Sequence, residues 1–161
     1  MATWVTKIKI SDEPHRIRIE YAKGIEFEDA DEYMISSKEK GEPGLYAALQ
    51  DLKEDVLEMC ELPEEYGETM LISSVSFSHA NDIMGATITA SKTLKMSQSP
   101  LILNTPHKPS MPYSETGDES VCLGADAITR IESLIRFAKR YIDGEREQLE
   151  LIPNEPAAAT A

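Results

Sequence analysis

Four segments of this chain alternate apolar and polar residues, the pattern of strands that bury one face of an antiparallel sheet. Residues 4–10 and 15–21 flank an Asp-Glu-Pro turn and predict one hairpin. Residues 70–78 and 83–90 flank a His-Ala-Asn-Asp turn and predict a second. The residues expected to face inward are Trp4, Ile8, Ile10, Ile17, Ile19, Tyr21, Leu71, Val75, Phe77, Met84, Ala86, Ile88 and Ala90. Such a chain folds around a sheet, and residues 100–103 predict one further short strand.

Two other segments have the three- and four-residue spacing of amphipathic helices. In the first, residues 45–62, the apolar stripe consists of Leu45, Leu49, Leu52, Val56 and Met59, while Asp51, Glu54, Asp55 and Glu58 lie largely off it. The second runs from about residue 125 to 143 and should end at Gly144. The predicted order is β-β-α-β-β-β-α. This order describes an α+β fold in which two amphipathic helices pack on an antiparallel sheet of about five strands.

The length of 161 residues suits one domain, expected over residues 1–144. Residues 36–44 and 104–122 are rich in polar residues, Gly and Pro, and predict loops. Residues 145–161 form a C-terminal tail that ends in Pro-Ala-Ala-Ala-Thr-Ala. This tail has too few apolar residues to bury, and we expect it to be flexible.

Negative charge is concentrated in one part of the chain. The net charge is −13, and residues 24–68 hold fifteen acidic against only three basic side chains. Its densest run comprises Glu26, Glu28, Asp29, Asp31 and Glu32, the candidate surface for a basic protein partner. We do not expect direct nucleic-acid binding by the cations of the first hairpin, Lys7, Lys9, Arg16 and Arg18. The chain is strongly acidic, and the two nearby aromatic residues, Trp4 and Tyr21, are expected on the opposite, buried face.

No recognised catalytic or metal-binding spacing occurs in the sequence. The three histidines, His15, His79 and His107, have no Cys, His or carboxylate at ligand spacing, and Cys60 and Cys122 suggest neither a zinc site nor a disulfide framework. We therefore expect a protein that is not an enzyme and that needs no metal or cofactor. A small ligand remains an alternative, held by a loop containing Asn104, Thr105, His107 and Tyr113.

The tail carries one short motif. Gln148, Leu149, Leu151 and Ile152 resemble the Gln-Leu-x-Leu-Phe pentapeptide with which bacterial polymerases and repair factors bind the β sliding clamp. An extended peptide of this kind presents its Gln to a polar rim and its apolar pair to a pocket. Ile152 replaces the usual Phe, which should reduce affinity. The alternative is that these side chains pack against the domain.

Residues 45–152 resemble a family of small bacteriophage and prophage proteins. The resemblance is carried by residues 75–79, 82–90, 112–114 and 141–145, and most specifically by the Leu-Asn-Thr-Pro-His string at residues 103–107. It implies a phage setting, the cytoplasm of an infected bacterium and a role near DNA replication or recombination, with no catalytic residues.

Three functions are therefore compatible with the sequence. The first is a non-enzymatic phage accessory protein in DNA replication or recombination, docked on the sliding clamp by its tail. The second is an acidic inhibitor that imitates DNA and occupies a host nuclease or an anti-phage defence complex. The third is a protein that sequesters a small ligand such as a nucleotide. These functions place the active surface on the tail, on the acidic segment and on the 73–114 face, respectively.

Overall fold

The computed structural model describes residues 1–147 and confirms the α+β class: three α-helices pack on an antiparallel sheet. The strands are β1 (Ala2–Ser11), β2 (Arg16–Gly24), β3 (Asp31–Ser37), β4 (Met70–Ser78), β5 (Gly85–Lys92), β6 (Leu101–Asn104) and β7 (Lys108–Pro109). The helices are α1 (Pro43–Gln50), α2 (Lys53–Met59) and α3 (Ala125–Ile142). The strand order is β3-β2-β1-β4-β5-β6, and the two-residue β7 also pairs with β5.

All three helices cover the same face of the sheet. The α1–α2 segment carries the chain from the edge strand β3 across that face to β4, which pairs with β1. One core cluster joins the sheet to the helices; it includes Ile8, Ile17, Ile19, Val75, Ile88, Leu45, Leu49, Leu52, Val56, Ile131, Leu134 and Ala138. Within residues 1–147 the opposite face, here called the open face, carries no α-helix, because the apolar stripe of every helix is used in this core.

The alternation predicts the inward faces of β2 and β5 well, since Ile17, Ile19, Ala86, Ile88 and Ala90 are all buried. In β1 and β4 the expected faces are partly wrong, because each strand contains a bulge. An extra residue in a bulged strand reverses the side-chain alternation beyond it. The bulge between Val5 and Lys7 turns Val5 inward together with Ile8.

The bulge in β4, between Ile72 and Ser74, has the same effect on that strand. It buries Met70 and Ile72 and leaves Leu71, predicted inward, 59% exposed.

The prediction missed two strands and one helix break. The edge strand β3 covers residues 31–37, although the sequence predicts a loop from residue 36 onward. Its exposed side chains lie on both faces, so the strand lacks the alternation that marks a half-buried one. The predicted loop over residues 104–122 contains β7 and a 3₁₀ turn, Glu119–Val121. The first helix is divided at Asp51 and Leu52 into α1 and α2.

The helix predicted near residues 125–143 is confirmed as α3. Its C-terminal end is tied to the start of α1, because Arg140 donates two hydrogen bonds of 2.8 Å to the Glu42 carboxylate. These bonds lower the pKa of Glu42 and raise that of Arg140. Tyr141, fully buried, donates a hydrogen bond of 2.6 Å to the Glu39 carbonyl. Across residues 1–147, no helix combines the length and apolarity needed to cross a membrane.

Candidate functional site

The five residues of the predicted acidic surface lie together where β2 leads into β3. Glu26, Glu28, Asp29, Asp31 and Glu32 are all exposed. Between them, Phe27 turns inward in a 3₁₀ turn, Phe27–Asp29, with its ring 5.7 Å from that of Trp4 and 5.1 Å from that of His79. His79 is itself held by a hydrogen bond of 2.8 Å to the Val5 carbonyl. The half-buried Phe27 ring thus anchors the turn, and the carboxylates beside it face solvent.

A recess of about 530 Å³ opens beside this turn, on the open face of β1, β2 and β3. Three carboxylates line it, those of Glu20, Glu28 and Glu32, and Phe27 and Met34 supply apolar wall. Its one cation is Arg18, whose Nε lies 3.0 Å from the Glu20 carboxylate. The recess combines negative charge with apolar surface, and these are the properties that receive a long basic side chain by both its stem and its head.

The same turn leads into a free strand edge. Within residues 1–147, β3 pairs with β2 alone, in a continuous register from Lys23↔Asp31 to Ile17↔Ser37. The backbone groups on the outer side of β3 therefore face solvent. Tyr33 and Met34 are 46% and 52% exposed, and the Tyr33 ring stacks on that of Tyr21 at 5.4 Å. An exposed edge of this kind is a template for an additional strand.

The second half of the acidic segment lies at the other end of the sheet. It lines a groove of about 1010 Å³ formed by α2 and the following 3₁₀ segment, Glu64–Thr69. Here Arg130 of α3 donates hydrogen bonds of 2.9 and 2.8 Å to Asp55, which is only 1% exposed. The Arg130 guanidinium also lies 3.1 Å from the Glu54 carboxylate. These hydrogen bonds to the Asp55 carboxylate raise the pKa of Arg130. Asp55, placed off the apolar stripe by the sequence, is therefore a buried structural partner of α3.

The predicted ligand-loop residues do not meet in one cavity. Thr105 is buried. Its hydroxyl accepts a hydrogen bond from the Ile88 N–H, and its own N–H donates one to the Ile88 carbonyl. Asn104 accepts a hydrogen bond of 2.7 Å from Thr89 on the open face. Tyr113 lines a separate shallow recess with Met111 and Pro112.

His107 joins a side chain that the sequence does not point to. Its Nε2 lies 2.8 Å from the Ser78 hydroxyl. The ring occupies the space above Gly85, where an added Cβ would lie 2.4 Å from that nitrogen. The missing side chain of Gly85 thus leaves the room that the His107 ring fills. Ser78 and His107 are 29 positions apart in the sequence, so no local pattern indicates this pair.

The clamp-peptide residues Gln148, Leu149, Leu151 and Ile152 lie outside the described residues. The first three residues of the predicted tail contact the domain. Arg146 places its guanidinium 3.6 Å from the centre of the Tyr141 ring and bonds the Tyr141 carbonyl at 2.7 Å. The Glu147 N–H donates to the Lys40 carbonyl at 3.0 Å. The peptide therefore starts directly beyond a fixed point on the domain surface.

Two further observations concern thiol reactivity and metal binding. Burial raises the pKa of the Cys60 thiol, which disfavours the reactive thiolate. No group of three or more His, Cys, Asp or Glu side chains that could hold a metal ion occurs within residues 1–147.

Comparisons with known proteins add no relative: no family model, no curated protein and no solved structure matches this chain. The sequence resemblance to phage proteins therefore stays a prediction, and the surfaces described above are the basis for assigning a function.

Proposed function

We propose that this protein is a non-enzymatic protein-binding module that receives a basic, extended segment of its partner on the β3 edge. One observation carries the proposal: the free edge of β3 and the carboxylates of Glu28 and Glu32 border the same recess. The edge would add main-chain hydrogen bonds, and the carboxylates would select a basic side chain in the added strand. A basic DNA-binding protein, such as a nuclease or a defence complex, is the partner class that this chemistry suits.

The test uses a fluorescein-labelled peptide of about ten residues that alternates Arg and Val. We expect it to bind the full-length protein, as measured by fluorescence anisotropy at low salt. The Glu28→Lys/Glu32→Lys variant should weaken binding about tenfold or more, a change of about 1.4 kcal/mol per tenfold. The matched control is Glu64→Lys/Glu68→Lys, which changes the net charge equally at the other end of the sheet. Equal losses in both variants would show general charge attraction and refute the edge site.

A second peptide separates strand addition from charge. Replacing its Val residues with Pro keeps every Arg but removes main-chain donors, which a strand needs. We expect this peptide to bind at least tenfold more weakly than the parent peptide. If both peptides bind equally, the acidic recess acts without the strand edge.

Sliding-clamp docking is a second candidate, favoured by the anchoring of Arg146 and Glu147 at the domain surface just before Gln148. In this proposal the tail tethers a phage accessory protein in DNA replication or recombination, in the cytoplasm of the host bacterium. The phage setting rests on the sequence resemblance.

Titration of purified β clamp with a peptide of residues 145–156 tests this candidate. We expect binding at about micromolar affinity or weaker, and tighter binding after Ile152→Phe. Gln148→Ala with Leu151→Ala should abolish it without changing the melting temperature of the full-length protein. The absence of binding even by the Phe variant would exclude the clamp.

A further inference from the structure

The open face of the sheet carries a cluster of positive charge in an otherwise acidic protein. Ile8, Ile17 and Ile19 point into the core and are fully buried. Lys7, Lys9, Arg16 and Arg18 alternate with them along β1 and β2, and the two strands have matched register in this region. These four cations therefore project from the open face; together they are called the basic face below.

One pair of these cations is unfavourable for folding, whereas Lys7 stands opposite the carboxylate of Glu20. Lys9 and Arg18 are direct cross-strand neighbours, and like charges in that position destabilise a sheet. Arg18 is partly compensated by Glu20 at 3.0 Å, and Arg16 bonds only the Ser36 hydroxyl at 3.0 Å. Within the described chain, Lys7, Lys9 and Arg16 make no ion pair. The basic face thus has unused positive charge that an external anion could neutralise.

Neutral polar groups extend the basic face across the sheet. The register places Lys7 beside Ser76, and Ser76 beside Thr87. It continues the Lys9 row through Ser74 and Thr89 to Asn104. With adjacent strands about 4.8 Å apart, the row from Arg18 to Asn104 spans roughly 19 Å. This is a strip of cations, hydroxyls and an amide, in which Ser74 is buried and the other polar residues are more exposed.

The Ser78–His107 pair lies at one end of this strip. Ser78 alternates with the buried Phe77 and therefore shares the open face with Ser76. The His107 ring adds a further polar group there, above Gly85.

We propose that the basic face binds the phosphate backbone of single-stranded nucleic acid, independently of base sequence. Phosphate contacts require only cations and hydrogen-bond donors, which this strip supplies. A protein partner would need apolar or aromatic anchors at the centre of the contact, and the rows described above have none.

The net charge of −13 does not argue against this surface once the charges are located. The densest acidic run lies at the β3 edge, and the other acidic half lies in the helical layer on the opposite face. Ions screen charges beyond a Debye length of about 8 Å at physiological salt. The phosphates would therefore respond mainly to the four nearby cations and to Glu20, which stands opposite Lys7 and beside Arg18. The basic face adjoins the recess of the proposed function, because Arg18 belongs to both. The variants of the two tests change different residues, so either proposal can fail alone.

The experiment measures the binding of fluorescein-labelled oligothymidylate of about ten nucleotides to the full-length protein by anisotropy at several salt concentrations. Four neutralised phosphates on a single strand predict a slope of about −3 for log K against log salt. Lys7→Gln/Lys9→Gln should reduce the slope by about half and weaken binding severalfold at low salt. Lys53→Gln/Lys139→Gln changes the net charge equally in the helical layer and should leave both quantities nearly unchanged.

A stability measurement rules out misfolding as the cause. Lys9→Gln removes a like-charge neighbour of Arg18. The urea midpoint of the Lys9→Gln variant should therefore equal or exceed that of the wild type. Lack of oligothymidylate binding at low salt, or equal losses in the two double variants, would overturn the proposal. Equally tight binding of polyglutamate of matched length would also overturn it, since the face would then prefer negative charge of any kind.

Discussion

The two halves of the acidic segment use their charge differently. In α2, Asp55 and Glu54 both contact Arg130, so this half contributes carboxylates that hold α3 to the rest of the fold. Between β2 and β3, the five acidic residues from Glu26 to Glu32 make no ion pair within residues 1–147. One half is therefore structural, and the other is available to a partner. Charge density alone does not distinguish them, because the sequence is similarly acidic in both.

Among the variants proposed here, Arg130→Met should lower the free energy of unfolding most. It leaves the Asp55 carboxylate buried without a cation, which costs about 3–5 kcal/mol of unfolding free energy. Urea denaturation followed by circular dichroism measures the loss. Arg136→Met, at an exposed site on the same helix, is the control and should change stability by less than about 0.5 kcal/mol.

Adding Asp55→Leu to Arg130→Met should recover much of the lost stability. The buried charge is then absent, and an apolar pair of similar volume often matches a buried ion pair. If the double variant is as unstable as Arg130→Met, the ion pair contributes stability that an apolar pair at these positions does not replace.

A smaller effect on stability is expected from breaking the exposed Glu42–Arg140 pair. The lowered pKa of Glu42 in the folded protein means that the pair stabilises above the unfolded pKa of 4.5. This contribution is lost as the pH falls through the folded pKa. We therefore expect Glu42→Gln to lower the urea midpoint slightly at pH 7 and to have no effect at pH 2. An equal loss at both pH values would assign the effect to packing instead.

The smallest effect on stability is expected in the first acidic half. Glu28→Lys/Glu32→Lys changes four units of charge at exposed positions, and its free energy of unfolding should stay within about 1 kcal/mol of the wild type. The same variant should bind the basic Arg/Val peptide at least about tenfold more weakly than the wild type. Thermal melting beside the peptide titration tests both expectations, and a large loss of stability would make this half structural too.

Periodicity predicted the fold class because buried faces impose it directly. Ile17, Ile19, Ala86 and Ile88 alternate since each faces the helices, and α3 shows a single apolar stripe for the same reason. The edge strand β3 has no such constraint, since neither of its faces is buried. It therefore has no periodic signature, and the strand that borders the candidate site is the one that the sequence conceals.

The candidate site was only half predictable. The carboxylates of Glu28 and Glu32 are evident as a dense acidic run, but their recess also needs Glu20, Phe27 and Met34 from neighbouring backbone. The bulge that turns Val5 inward depends on how β1 pairs with β2 and is equally hidden. Both features arise from contacts between segments, which a pattern along one segment does not record.

By itself, the sequence determined which stretches are strands and helices with a buried face, and that negative charge is concentrated in residues 24–68. These follow from local spacing and composition. Only the tertiary structure decided that Asp55 is buried against Arg130, that Glu28 and Glu32 border a free strand edge, and that Lys9 stands beside Arg18 on an open face. The reason is that desolvation, pairing and register depend on residues distant in sequence, which only the folded chain brings together.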